Sequence, residues 1–219
     1  MYGARVVGCD PDTWFTVGGC VVKSTGSDDD DVYCITKRWM EKFNGATSVW
    51  TGQPPLPKTS LLAGNELWTV GIGGGVYVGS RATDGTSVQR FDPVAKSWIS
   101  RAPMLGGGPA FAVALENQGE IWVFRDVVRM FHISVQIYNA AKDTWSITPI
   151  LLPSSLDGCY ACDPVVIGGN ILFVLTVPGE WSSIRLVRLN PCTKEVTVLT
   201  TFRDVDPPWA LAVVRVAAC

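Results

Sequence analysis

Phe43-Asn44…Trp50, Phe91-Asp92-Pro93…Trp98, Tyr138-Asn139…Trp145 and Leu189-Asn190-Pro191…Val196 are one short phrase written four times. In every copy the first and last anchors are seven residues apart (50 − 43, 98 − 91, 145 − 138, 196 − 189). A compressed fifth copy, Cys9-Asp10-Pro11-Asp12-Thr13-Trp14, opens the chain. Successive first anchors (9, 43, 91, 138, 189) lie 34, 48, 47 and 51 residues apart. A period of this length, with strands rather than helices in each unit, is the mark of a propeller-like repeat array.

Working outward, an aromatic or aliphatic run precedes each phrase: Val32-Tyr33-Cys34-Ile35, Glu66-Leu67-Trp68, Glu120-Ile121-Trp122-Val123-Phe124 and Ile171-Leu172-Phe173-Val174. Turn signals stand before the last three, at Gly64-Asn65, Gln118-Gly119 and Gly168-Gly169-Asn170. Further apolar runs stand before those turns: Ser60-Leu61-Leu62, Ala110-Phe111-Ala112-Val113 and Pro164-Val165-Val166-Ile167. Each unit thus reads as four strands: run, turn, aromatic run, variable loop, alternating strand, then a hairpin to the Trp strand. Ser87-Val88-Gln89-Arg90-Phe91 and Ser134-Val135-Gln136-Ile137-Tyr138 alternate as a strand with two unlike faces requires. Asp or Asn after the first anchor can bond the backbone two residues on, and Pro presets φ for a turn. The two anchors then fall on adjacent strands, where large rings pack between sheets. Pro54-Pro55, Pro103 and Pro149 follow the Trp strands, and Pro ends a ladder where the chain leaves a sheet.

These units resemble kelch repeats, the family of four-stranded β-propeller blades. The family pattern closes its second strand with Gly-Gly and continues Tyr-Asp-Pro-x-Thr-x-x-Trp. Phe43-Asn44-Gly45-Ala46-Thr47-Ser48-Val49-Trp50, Phe91-Asp92-Pro93…Trp98 and Tyr138-Asn139…Trp145 carry the likeness, which spans about residues 3 to 217. Departures are visible too. Only Gly73-Gly74 stands near the diglycine position, the next two units offer Arg125-Asp126 and Thr176, and Val196 replaces the last Trp. The resemblance implies one all-β, kelch-type propeller domain over residues 1–219, of about four to five blades. The boundaries are a half-blade at 1–16, blades at about 17–53, 58–103, 109–150 and 163–202, and a half-blade at 207–219. The two half-blades either pair to close a ring or mark a partial or eroded propeller.

Composition agrees with a turn-rich β protein: 47% hydrophobic residues, 22 Gly, 14 Pro and 17% charged residues. A net charge of −2 gives no electrostatic reason to expect nucleic acid or an anionic membrane as partner. No stretch approaches the ~18 apolar residues of a membrane helix. Seven cysteines, an odd number in a chain too long to need staples, read as a reduced, cytoplasmic setting.

Catalytic and metal constellations are sparse. Asp28-Asp29-Asp30-Asp31 is consecutive, whereas a calcium loop alternates its ligands with turn residues. Cys159-Tyr160-Ala161-Cys162 has no second pair to complete a zinc site. His132 is the only histidine, and no Gly-x-Ser-x-Gly occurs. Gly71-Ile72-Gly73-Gly74-Gly75 leads into Val76-Tyr77-Val78, a strand rather than a helix, and so reads as a wide β-hairpin loop. The chain is therefore expected to be no enzyme and to need no cofactor or metal.

In kelch proteins the loops between second and third strands often contact partners. Here the spans around them differ in length: 23 residues from Trp68 to Phe91, 16 from Trp122 to Tyr138, ten from Tyr33 to Phe43. They carry Tyr77, Arg81 and Asp84, then Arg125, Asp126, Arg129 and His132, then Glu180 and Trp181. Arg, Tyr and Trp dominate binding hot spots. Tyr77, Arg81, Asp84, Arg125, Arg129 and Trp181 are the expected partner-binding residues. The resemblance implies a protein or peptide partner, such as a ubiquitin-ligase substrate or scaffold. The alternative is a small-molecule propeller enzyme or specifier-like protein working at a central channel.

Overall fold

The computed structural model describes residues 5–10, 12–18, 20–24, 32–36, 40–57, 67–80, 86–106, 110–125, 132–156, 160–161, 164–177 and 180–203. The fold is all-β, built from the blades of a four-blade β-propeller. Helix is limited to two 3-10 turns among the described residues, Glu116–Gln118 and Ser154–Leu156.

Blade 1 joins β1 (Arg5–Asp10), β2 (Thr13–Val17), β5 (Met40–Asn44) and β6 (Val49–Gln53) in that order. Between β2 and β5 the chain makes a separate hairpin, β3 (Cys20–Ser24) with β4 (Val32–Thr36). Blade 2 runs from β7 (Leu67–Ile72) through β8 (Gly75–Ser80) and β9 (Val88–Asp92) to β10 (Ser97–Arg101). Blade 3 is β11 (Ala110–Leu115), β12 (Glu120–Arg125), β13 (His132–Asn139) and β14 (Thr144–Leu151). Blade 4 places β17 (Asn170–Val177), β18 (Glu180–Leu189) and β19 (Val196–Phe202) side by side. Both β15 (Tyr160–Ala161) and β16 (Val165–Ile167) pair with β17 on its other edge.

The repeated phrase is the outer hairpin of all four blades, and one turn explains its constant spacing. The Asx side chain accepts backbone N–H bonds: Asn44 from Thr47, Asp92 from Val94 and Ala95, Asn139 from Lys142, Asn190 from Cys192 and Thr193. Five residues past each first anchor the backbone turns left-handed, at Ser48 (φ 54°), Lys96 (50°), Asp143 (52°) and Lys194 (63°). None of these is Gly, so the side-chain cap must hold a conformation that L-residues resist. The capping bonds also hold the Asp92 carboxyl below its ordinary value, those from Ala95 and Val94 ahead of the Arg90 charge. Glycine serves the inner turns instead. Gly73-Gly74 and Gly168-Gly169, all at positive φ, make two-residue hairpins.

Three features differ from the sequence reading. The phrase Cys9…Trp14 is not a half-blade of its own; it is the inner β1–β2 hairpin of blade 1, which continues into β5 and β6. Val32–Ile35 is not a blade strand, since β4 pairs with β3. The Gly71–Gly75 segment is a tight turn rather than a wide loop, so β7 is the first strand of blade 2 and β8 the second. The proposed half-blade at 207–219 lies outside the described residues.

The chain divides into two compact units, Met1–Ala110 with Asn139–Trp145, and Phe111–Tyr138 with Ser146–Cys219. In the first, Val7, Phe15, Val17, Met40 and Leu56 of blade 1 form a core with Leu67, Val76, Val78 and Phe91 of blade 2. Phe15 meets Phe91 edge to face at 6.0 Å. In the second, Trp122, Phe124, Ile133, Val135 and Ile137 of blade 3 pack with Ile171, Phe173, Leu175, Val187 and Leu189 of blade 4. Phe124 and Phe173 cross edge to face at 4.9 Å. The Lys194 ammonium stands 3.9 Å over the Trp122 ring, and burial there lowers its pKa. Both cores obey one rule. The face of a blade that carries the phrase's anchors packs on the reverse face of the blade before it.

Candidate partner-binding surface

The structure separates the residues expected to bind. Tyr77 lies in β8, not in a loop, and is 3% exposed with the Arg90 guanidinium 6.0 Å over its ring. It cannot offer its ring to a partner, because both faces of a blade strand are covered here. Arg125 is the last residue of β12, and Glu180 and Trp181 open β18 rather than sitting in a connection. His132 begins β13. Arg81, Asp84, Asp126 and Arg129 lie outside the described residues. The strand bounds give connections between second and third strands of 22 residues in blade 1 (18–39), seven in blade 2 (81–87), six in blade 3 (126–131) and two in blade 4 (178–179).

A different surface emerges from the register of blade 1. Gly8 pairs with Trp14, Trp14 with Phe43, and Phe43 with Trp50, so one row crosses all four strands on one face. A Cβ at Gly8 would be in ordinary contact with the Trp14 ring, at 3.5 Å, so the indole lies against that strand. Phe43 and Trp50 stack at 4.9 Å, tilted by 41°. Trp14 is 43% exposed and Trp50 48% exposed. Val6 and Glu41, one row along on the same face, are exposed as well.

The equivalent row of blade 2 is Gly71, Val76, Phe91 and Trp98. Phe91 and Trp98 repeat the ring geometry, at 5.1 Å and 48°, yet Phe91 is wholly buried. The Trp98 indole donates to the Pro54 carbonyl of blade 1 at 2.9 Å. Trp145 makes the same bond to the Ala102 carbonyl at 2.8 Å, and Asp143 accepts from the Ala102 N–H. Pro54 and Ala102 each stand four residues past the preceding Trp. Trp50 has the anchor and the stacking ring, but no such bond among the described residues. Sequence reasoning did not single out this row, because Trp14, Phe43 and Trp50 are brought together only by strand register.

Chemically the row is an exposed cluster of tilted aromatic rings with indole N–H donors and one acidic residue beside it. Among the described residues no three of His, Cys, Asp and Glu gather as a metal site. No helix among them is long and apolar enough to cross a membrane.

Comparison with known proteins places the fold. No family model and no curated protein matches the chain. Among solved structures, YjhT aligns over 90% of this chain and 65% of its own, at 15% identity and a TM-score of 0.56. A GH43 glycoside hydrolase with an engineered active site aligns over 94% of this chain and 42% of its own, at 11% identity and 0.52. An oligogalacturonate lyase in complex with manganese aligns over 87% of this chain and 59% of its own, at 11% and 0.51. The chain thus spans less than two thirds of each of these structures. The expectation that it is no enzyme does not stand, because two structures sharing its fold are enzymes and the fold leaves a catalytic role open. What sheet pairing and these likenesses establish together is a β-propeller.

Proposed function

We propose that the chain is a kelch-type propeller module that docks a protein or peptide partner on the anchor face of its first blade. One observation carries the reading: Trp14 and Trp50 of this row are exposed, while Val76 and Phe91 of the same row one blade later are buried. Large apolar surface left open on a folded domain marks a place of interaction. Trp is the residue type that most often dominates such contacts. Arg81, Asp84 and Arg129 in the strand connections, with Arg125 and Trp181 at the strand ends beside them, belong to the proposal as secondary contacts.

The test is selection of a displayed peptide library on the purified chain, repeated on a Trp14→Ala/Trp50→Ala variant. Peptides retained by the parent and lost by the variant are the expected result. Equal retention by both, with loss on changing Arg125 and Trp181 instead, would move the site to the strand ends beside the connections. The same preparation is assayed for turnover of oligosaccharides, since the fold leaves catalysis open.

A further inference from the structure

We infer that Lys194 is an acylation site, loaded through the thiol of Cys192 from an acyl thioester. The pair stands on the outer hairpin of blade 4, wholly within the second compact unit. It is separate from the docking face of blade 1 and does not rest on that reading. Cys192 is a free, exposed thiol, and the Gln118 amide donates to its sulfur at 3.7 Å. Two residues on, the backbone turns left-handed at Lys194 (φ 63°). Its Nζ reaches back across the turn and donates to the Pro191 carbonyl at 2.6 Å. That carbonyl carbon is bonded to the Cys192 nitrogen, so the amine is held one peptide unit from the Cys192 α-carbon.

Each group suits its part. A thiolate is the attacking form of cysteine, and an exposed one meets donors freely. An amine attacks only when neutral. Lys194 is packed over the Trp122 ring at 3.9 Å, and burial there lowers its pKa against the opposing charges of Glu120 and Cys192. Glu120 is itself fixed by the Trp122 indole, which donates to it at 2.9 Å. In the first step the Cys192 sulfur bonds the acyl carbon and the donor's carbon–sulfur bond breaks. The donor leaves as a thiol, carrying the proton that Cys192 gave up. In the second step the neutral Lys194 amine bonds that carbon, the Cys192 carbon–sulfur bond breaks, and the amine's proton returns to the thiolate. One thioester is exchanged for one amide, and no oxidant is needed. The product lacks the charge that Lys194 places over Trp122. Blade 2 carries the same turn without the thiol. Asp92-Pro93-Val94-Ala95-Lys96 matches Asn190-Pro191-Cys192-Thr193-Lys194, and Lys96 is left-handed too (φ 50°).

The decisive measurement is a time course of the purified full chain with acetyl-coenzyme A, read residue by residue by peptide mass mapping. Lys194 should be acetylated about tenfold faster than Lys96, because delivery from a neighbouring group raises the effective concentration of the acyl donor. Cys192→Ala, a change at an exposed position that leaves the fold intact, should bring Lys194 down to the Lys96 rate. Lys194→Arg keeps a cation for the Trp122 ring and should strand the acetyl group on Cys192, where hydroxylamine removes it. Lys194 acetylation undiminished by Cys192→Ala overturns the inference. So does a Lys194 rate equal to that of Lys96, or a Lys194→Arg chain that gathers no thioester on Cys192.

Discussion

The outer hairpins of blades 1 and 2 are the same object in two surroundings. Both hold an aromatic ring against a Trp at about 5 Å, both cap the turn with an Asx side chain, and both turn left-handed at the same position. Yet Phe91 is sealed and Trp98 is tied to Pro54, while Trp50 stands half in water. The difference teaches that the phrase specifies the hairpin alone. Burial of its rings comes from whichever blade lies in front.

That separation can be broken by paired substitutions. Phe91→Ala should cost about 3–5 kcal/mol in urea unfolding, as deletion of a buried Phe does. Phe43→Ala, with its ring half in solvent, should cost no more than about 1.5 kcal/mol. Equal losses would mean the hairpin, not the neighbouring blade, supplies the stability. Next in size, Trp98→Phe removes the indole donor, leaves the Pro54 carbonyl unpaired, and should cost about 1–2 kcal/mol. Trp50→Phe should fall within about 0.5 kcal/mol of the parent.

The turns should behave alike, which sharpens the point. Lys96→Gly and Ser48→Gly each relieve a left-handed L-residue and should raise the free energy of unfolding equally, by up to about 1 kcal/mol. A gain in one blade only would show that the blade environment reaches the turn. The smallest effect is acid-dependent. Because folding lowers the Asp92 pKa, its contribution is complete above the ordinary value of 3.8 and is lost as pH falls through the lowered one. Asp92→Asn should therefore flatten the acid limb of stability below about pH 4, bringing blade 2 to the state of blade 1, where Asn44 does not titrate. An unchanged acid limb would exclude that linkage.

How far these features were legible in the sequence follows from how local each one is. The hairpins β5–β6, β9–β10, β13–β14 and β18–β19 are written in seven-residue phrases and were read directly. Cys9…Trp14 imitates that phrase, and only its long-range partner, β5, reveals that it belongs inside blade 1. Tyr77 looked like loop because Gly73-Gly74 suggested a wide excursion; two consecutive left-handed glycines instead fold the chain straight back into β8. The Trp14–Phe43–Trp50 row needs the register of three strand pairs at once, which no short window carries. The same holds for Gly79, whose missing side chain leaves room for the Trp68 ring across the β7–β8 pair.

The indole bonds between blades also impose an order on biosynthesis. Trp98 reaches back 44 residues to Pro54, and Trp145 reaches back 43 to Ala102. In each pair the acceptor leaves the ribosome first. Hairpins close within microseconds, whereas those 43–44 residues take seconds to emerge. Trp98 and Trp145 are therefore delivered onto strand ends that are already waiting, and blades 2 and 3 are checked against their predecessors as they appear. Among the described residues Trp50 of blade 1 makes no bond of this kind, so that blade is delivered without such a check.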